Sequence, residues 1–242
     1  MMGKLKSMPV SAPLYPEPPY HYKNAELVTL LFSTDRDKVA DIVPPPLKVP
    51  RSPIVMAFVA WYPETTIGPY HEAATFIQSY LKTQTSEGGK RIEGFYCNSM
   101  FVDSDIALAA GREIWGYPKK LAEMSVQIEG NKAIGLLRRK DTDIMKITVD
   151  LQNPLQQIPD AETLTLKQIL KPDGTGIEIQ EFIRTSMKME AIDIKAGQAT
   201  IEFQKSEDDP LYHLSPKTVM QGLYGTINLV LPYGTVVWRA TP

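Results

Sequence analysis

The sequence predicts an α+β fold, predominantly antiparallel β, with a barrel- or cone-like sheet and a few short helices. Three observations predict it. Apolar, β-rich runs of strand length recur from Leu27 to Arg239, turn signals fall between them, and helix-forming composition is confined to two or three short stretches. No internal repeat, linker or compositional shift interrupts the 242 residues, so one domain is expected over residues 1–242.

Five prolines between Pro9 and Pro19 predict that residues 1–20 form an extended arm of polyproline character, lying across the body or a partner subunit. Residues 27–32 then read as a buried strand. Ser33 or Thr34 can cap a short helix with Asp35 and Asp37 in its first turn, and Pro44-Pro45-Pro46 ends it. Residues 54–61, 93–102 and 125–137 are strand-like. Gly88-Gly89 marks residues 83–90 as the hairpin connection between the first two of these. Residues 103–112, rich in alanine, read as a helix capped by Asp103 or Ser104. The second half adds strand-like runs at 144–151, 177–184, 187–194, 198–203, 219–231 and 235–239. Turns are expected at 171–174 and 195–197, and a loop at 210–214.

The balance of 26 basic and 28 acidic residues, without a basic run, argues against nucleic acid as a partner. The segment after Lys4 and Lys6 is proline-rich and polar, not apolar, and no run has the length of a membrane span. A cytoplasmic protein with no membrane partner is therefore expected. Cys97 is the single cysteine and reads as a small buried hydrophobe. His21, His71 and His213 lack ligand spacing, and no phosphate-binding glycine loop or nucleophile elbow is present, so neither metal nor cofactor is expected.

Chemistry is concentrated in residues 111–122, where Lys119 and Lys120 sit among Ile114, Trp115, Tyr117 and Leu121. A lysine held among residues that seek burial either extends its ammonium to water or loses its proton, and a neutral amine is a nucleophile. A solvated basic turn is the bland alternative. Consecutive strand residues face opposite ways, and alternation places Ala122, Met124, Val126 and Ile128 on the face of Lys120. Burying Lys119 instead requires a bend or bulge between Lys119 and Leu121.

Gly111-Arg112-Glu113, followed after three residues by Tyr117-Pro118-Lys119-Lys120-Leu121, resembles the signature of the acetoacetate decarboxylase family. The resemblance implies that Lys119 forms a Schiff base with a ketone, activated by desolvation or by the second cation, Lys120. Tyr70-His71-Glu72 resembles the family's Tyr-x-Glu segment, which gives Glu72 the handling of protons. Tyr117, Trp115, Met100, Arg112 and Glu113 are implied around the substrate. The resemblance also implies a small keto acid or ketone as partner and a homo-oligomeric assembly.

Two positions depart from the family's pattern. An arginine is replaced by Ala25, and an acidic pocket residue by Ala57. An arginine suits bidentate recognition of a carboxylate, so a bulkier or less anionic ketone than acetoacetate is expected, unless Lys23 or Arg112 replaces the lost cation. The favoured reading is decarboxylation of acetoacetate or a related 3-oxo acid through an iminium and enamine. The alternatives are a Schiff-base aldolase or dehydratase on another keto acid, or a non-enzymatic barrel whose lysines anchor an anion.

Overall fold

A computed structural model describes residues 6–83, 89–158 and 160–240. The first half runs β1 (Tyr20–Ser33), α1 (Arg36–Val39), β2 (Ile54–Tyr62), β3 (Glu64–Thr65), β4 (Tyr70–Thr83), β5 (Lys90–Val102) and α2 (Asp105–Ala110). A π-helical turn (Gly111–Trp115) then leads into β6 (Lys119–Leu121). The remaining strands are β7 (Glu123–Glu129), β8 (Lys132–Arg139), β9 (Thr142–Asp150), β10 (Asn153–Leu155), β11 (Ala161–Leu170), β12 (Ile177–Gly197), β13 (Ala199–Glu202), β14 (Thr218–Leu231) and β15 (Thr235–Arg239).

The larger sheet closes on itself in the order β12-β11-β5-β4-β2-β1-β14, with β14 returning to β12. Closure depends on the length of β12. Its first half pairs with β11, from Ile177↔Leu170 to Met187↔Ala161, and its second half pairs with β14, from Lys188↔Val230 to Gly197↔Gly222. The ring is antiparallel except at β11–β5, and β6 also adds to β5 in parallel. Closing a sheet removes the unpaired edges that would invite association. A four-stranded antiparallel sheet, β13-β9-β8-β7, packs against it.

Period-two alternation divides the ring strands between two cores. Val28, Leu30 and Phe32 of β1, Val55, Ala57 and Val59 of β2, and Ala73 and Ile77 of β4 meet Ala133, Leu137, Ile147 and Val149 of the small sheet. The intervening residues, including Tyr20, Tyr22, Ala25, Phe58, Ala60, Tyr62, Tyr70 and Ala74, form a second core with Met100, α2, Trp115 and Tyr117. Ala57 therefore lies away from the lysine segment, contrary to its expected place in a pocket.

Several local expectations change. The helix predicted at 33–43 begins one residue later, with Asp35 at the N-cap and no side-chain cap. Thr34 is buried and spends its hydroxyl on the Leu214 carbonyl at 2.6 Å. The strand-like run 125–137 is two strands joined by a turn at Gly130, whose φ of +60° suits glycine. The runs 177–184 and 187–194 are one strand, and residues 195–197 continue it instead of turning. Strands β4 and β11 were not visible as apolar runs, because Glu72, Thr75, Gln78, Thr163 and Thr165 interrupt them. The partner of β5 across residues 83–90 is consequently β4 and not β2; residues 84–88 of that connection lie outside the described residues.

The proline-rich segment is not extended throughout. Ala12 N–H closes a turn on the Pro9 carbonyl, and Ser7 Oγ accepts from Tyr15 N–H at 3.2 Å. The segment lies against the body through the Tyr15 hydroxyl, which donates to Glu113, and the Tyr20 hydroxyl, which donates to the Pro16 carbonyl at 2.7 Å. No helix of the described residues is long and apolar enough to cross a membrane.

Gly197 sits where β12 passes the second sheet, and a Cβ there would lie 1.5 Å from the backbone oxygen of Asp150. Backbone cannot move aside as a side chain can. Gly197→Ala is expected to destabilise the protein by about 3 kcal/mol or to prevent folding. The urea midpoint, compared with that of a Gly174→Ala variant at an open turn, measures this.

Candidate active site

Lys119 reaches its position through three local constraints. Ser104 caps α2 by accepting from Ala107 N–H at 3.3 Å, and the helix widens into the π-helical turn. Gly116, at φ +74°, ends that turn in the left-handed conformation that glycine tolerates. Tyr117 N–H then bonds the Gly111 carbonyl at 3.0 Å, which folds residues 117–119 back over the start of the turn. Thr165 holds the Trp115 carbonyl, and the Trp115 indole N–H donates to the Pro232 carbonyl at 2.9 Å.

The register Met100↔Lys119 and Phe101↔Lys120 fixes the two lysines on opposite faces. Lys119 is 6% exposed, and its Nζ donates to Glu72 Oε2 at 2.8 Å; Glu72 is itself buried. Lys120 points the other way. Its Nζ, on a side chain about half exposed, meets Asp209 Oδ1 at 2.6 Å and the Asp208 carbonyl at 3.2 Å. The chain changes sheets at Ala122, between β6 and β7, and Ala122, Met124 and Val126 pack against the first core together with Phe101, the partner of Lys120, as alternation predicts. Ile128 is exposed. The expected bend between Lys119 and Leu121 is absent, since the register with β5 is unbroken there; Lys119 is buried because its own face of β6 meets the second core.

Lys119 opens onto a cavity lined by Tyr20, Tyr22, Ile67, Ala107, Ala110, Gly111, Trp115, Tyr117 and Leu231. Its volume is about 10 Å³, roughly the room for one water molecule, so a ketone enters only as these walls shift. The ammonium lies 5.6 Å from the centre of the Tyr70 ring and 5.8 Å from that of Tyr117, within cation–π range. Tyr62 donates to Glu72 Oε1 at 3.4 Å. Chemically, the arrangement is a desolvated primary amine with a carboxylate in contact to accept its proton.

The structure therefore joins Lys119, Glu72, Tyr117 and Trp115. It sets the other expected site residues apart. Arg112 and Glu113 are exposed: Arg112 Nη1 bonds the Lys119 carbonyl at 3.3 Å, and Glu113 accepts from Tyr15. Met100 is buried in the second core but is not a wall of the cavity. Lys23 is engaged with Glu64 at 2.8 Å on the surface, so neither proposed replacement cation reaches the cavity. Sequence reasoning missed Tyr20, Tyr22, Tyr62 and Tyr70. The alternation of β4 held the signal for Tyr70, which shares a face with Glu72 two residues on. Cys97 is buried in the second core, where desolvation and then the Glu72 charge push its thiol pKa upward. His71 is satisfied by Asp103 at 2.8 Å and stacks on Trp61.

The acetoacetate decarboxylase (ADC) family matches over residues 7–240. The chain belongs to the acetoacetate decarboxylase family. It is 28% identical to acetoacetate decarboxylase 1 of Mesorhizobium japonicum, over 97% of this chain and 94% of that one. The crystal structure of acetoacetate decarboxylase from Legionella pneumophila superposes with a TM-score of 0.83 at 27% identity, covering 96% of this chain and 93% of the other. A further acetoacetate decarboxylase structure, at 23% identity and a TM-score of 0.87 over 99% and 97% of the two chains, shares the fold. The family makes the chain a carboxy-lyase of the acetoacetate decarboxylase type, and the closed sheet with few helices is the family's architecture.

A Cβ at Gly111 would lie 2.5 Å from Lys119 Cε and 2.6 Å from Cδ. Gly111→Ala is expected to push the lysine off Glu72 and lower kcat by about a hundredfold, with a melting temperature near that of the parent; steady-state kinetics beside calorimetry checks this.

Burial pushes the hydroxyls of Tyr20, Tyr22, Tyr62, Tyr70 and Tyr117 well above the ordinary tyrosine value of 10.0. Above pH 10 the unfolded chain loses protons that the native chain keeps. Stability is therefore fully present below that pH and falls as pH rises beyond it, by about 1.4 kcal/mol per pH unit for each such tyrosine. Urea midpoints measured from pH 8 to 11.5 should be level at first and then decline.

Proposed function

We propose that this chain decarboxylates acetoacetate or a related 3-oxo acid through a Schiff base at Lys119. The buried contact between Lys119 and Glu72, inside an aromatic cavity of a family member, is the observation that supports the reading. Glu72 accepts a proton from the Lys119 ammonium, and the free amine adds to the 3-oxo carbon. Glu72 returns that proton to the carbinolamine hydroxyl, which leaves as water and gives an iminium; the iminium accepts the electron pair released when the bond to the carboxylate breaks. Carbon dioxide leaves and an enamine remains. The enamine carbon then takes a proton that Glu72 relays from water, and hydrolysis of the resulting iminium frees the ketone and the lysine.

The closed walls serve this sequence in two ways. They exclude water, which strengthens the attraction between the iminium and the Glu72 carboxylate, and they offer the departing carbon dioxide an apolar exit. Lys120 takes no direct part in this scheme, because its ammonium faces Asp209. Its contribution is to hold β6 against the 206–214 segment.

Borohydride reduction in the presence of acetoacetate should add the ketone-derived mass to the peptide carrying Lys119. Lys119→Arg should lose both the adduct and carbon dioxide release, by at least about a thousandfold, as expected for a covalent nucleophile. A folded parent that releases carbon dioxide from no 3-oxo acid, or an adduct that forms elsewhere, would sink the proposal.

A further inference from the structure

We propose that the Tyr22 hydroxyl, oriented by Tyr70, is the neutral donor that holds the substrate's carboxylate in the Lys119 cavity, where this chain has no arginine. The inference deepens the Schiff-base reading above and rests on it. Of the cavity's walls only Lys119 is charged, and its amine is committed to the ketone carbon. Ala25 brings no polar group to the second core. Recognition of a carboxylate must then come from hydroxyls.

Five tyrosines surround the lysine, and the hydrogen bonds of three can be followed to the end. Tyr20 donates to the Pro16 carbonyl, and Tyr62 donates to Glu72. Tyr117 pairs with Thr163 Oγ1 at 3.0 Å, and Thr163 in turn donates to the Thr185 carbonyl, which leaves Tyr117 as donor to Thr163. Tyr22 and Tyr70 meet each other, hydroxyl to hydroxyl, at 3.0 Å. Two hydroxyls carry two protons, and one bond between them uses one. Among the described residues neither oxygen has another protein partner, although both side chains are almost wholly buried, at 4% and 2% exposure.

Tyr22, and not Tyr70, is a wall of the cavity. The arrangement that leaves no buried donor unused has Tyr70 donating to the Tyr22 oxygen and Tyr22 directing its own proton into the cavity. Burial, and then the Glu72 charge, push the Tyr22 pKa upward, so the hydroxyl stays protonated and remains a donor. A phenol also discriminates differently from a guanidinium. It holds a carboxylate by one directional bond without neutralising it, which leaves the carboxylate freer to depart as carbon dioxide.

The test compares ligands with and without a carboxylate in the parent, Tyr22→Phe and Tyr70→Phe. With acetoacetate, Tyr22→Phe should raise KM roughly tenfold to a hundredfold and leave kcat within about threefold. Tyr70→Phe, which keeps the donor but loses its orientation, should raise KM by less. The reducible Lys119 adduct with neutral pentane-2,4-dione should form equally well in all three proteins, which also shows that both variants are folded. Binding of 3-hydroxybutanoate, followed by tryptophan fluorescence, should weaken in Tyr22→Phe by the same factor as the KM effect; it needs no imine, so it separates this inference from the Schiff-base reading. Equal losses for the diketone and the acids, no loss for either, or a larger effect from Tyr70→Phe would each overturn the assignment. So would a parent that forms the diketone adduct yet neither turns over acetoacetate nor binds 3-hydroxybutanoate.

Discussion

The ion pair between Lys119 and Glu72 is the constraint on which the rest of the structure depends. Removing two charges from water costs several kcal/mol for each ion, and only close mutual contact with further hydrogen bonds offsets it. The molecule meets that requirement with a 2.8 Å contact, a second donor from Tyr62 and two aromatic faces around the ammonium. The same requirement explains Gly111, since the lysine's methylenes occupy the space where any side chain at that position would begin. A buried amine in contact with a base is poor economy for stability and well suited to nucleophilic chemistry.

Holding such a pair requires walls that do not yield, and the closed sheet supplies them. Glu72 is on β4 and Lys119 on β6, which are both neighbours of β5. Register along β5 sets the distance between them, because Glu72 lies opposite Val102 and Lys119 opposite Met100. The bulge in β5 between Ser99 and Cys97 falls just beside this point. Across the ring, β12 binds β11 with one half and β14 with the other, which brings Leu231 of β14 to the cavity as a wall. The small sheet covers the opposite face of β1, β2 and β4, so their alternation is read by apolar contacts on both sides.

The second lysine illustrates how neighbouring residues can serve different ends. Lys120 is next to the buried amine in sequence, yet its charge is spent on Asp209, a carboxylate that is itself almost wholly buried and also 3.3 Å from Arg139. That contact ties β6 to the segment carrying Leu211 and Leu214, two buried residues of the first core. Strand geometry makes this division unavoidable, since consecutive side chains leave a strand on opposite faces.

What the sequence by itself determined was local. The spacing of glycines, aromatic residues and lysines in 111–121 marked the segment that carries the family resemblance, Asp103 or Ser104 offered a cap for its helix, and apolar runs located β1, β2, β5 and β14, because each of these signals is written within one element. Strands β4 and β11 escaped notice because their buried faces carry the polar residues Glu72, Thr75, Thr163 and Thr165; partners from other elements make the burial of Glu72, Thr163 and Thr165 tolerable. Periodicity left open which lysine is inward, and only the family resemblance pointed to Lys119 and Glu72; tertiary structure brings these two together from 47 residues apart and sets Arg112, Glu113 and Lys23 elsewhere. It decided too that four further tyrosines surround the amine. The physical reason is that burial of a charge is a property of what closes over it, and the closing residues come from β1, β2, β4 and β14, whose registers no short stretch of sequence contains.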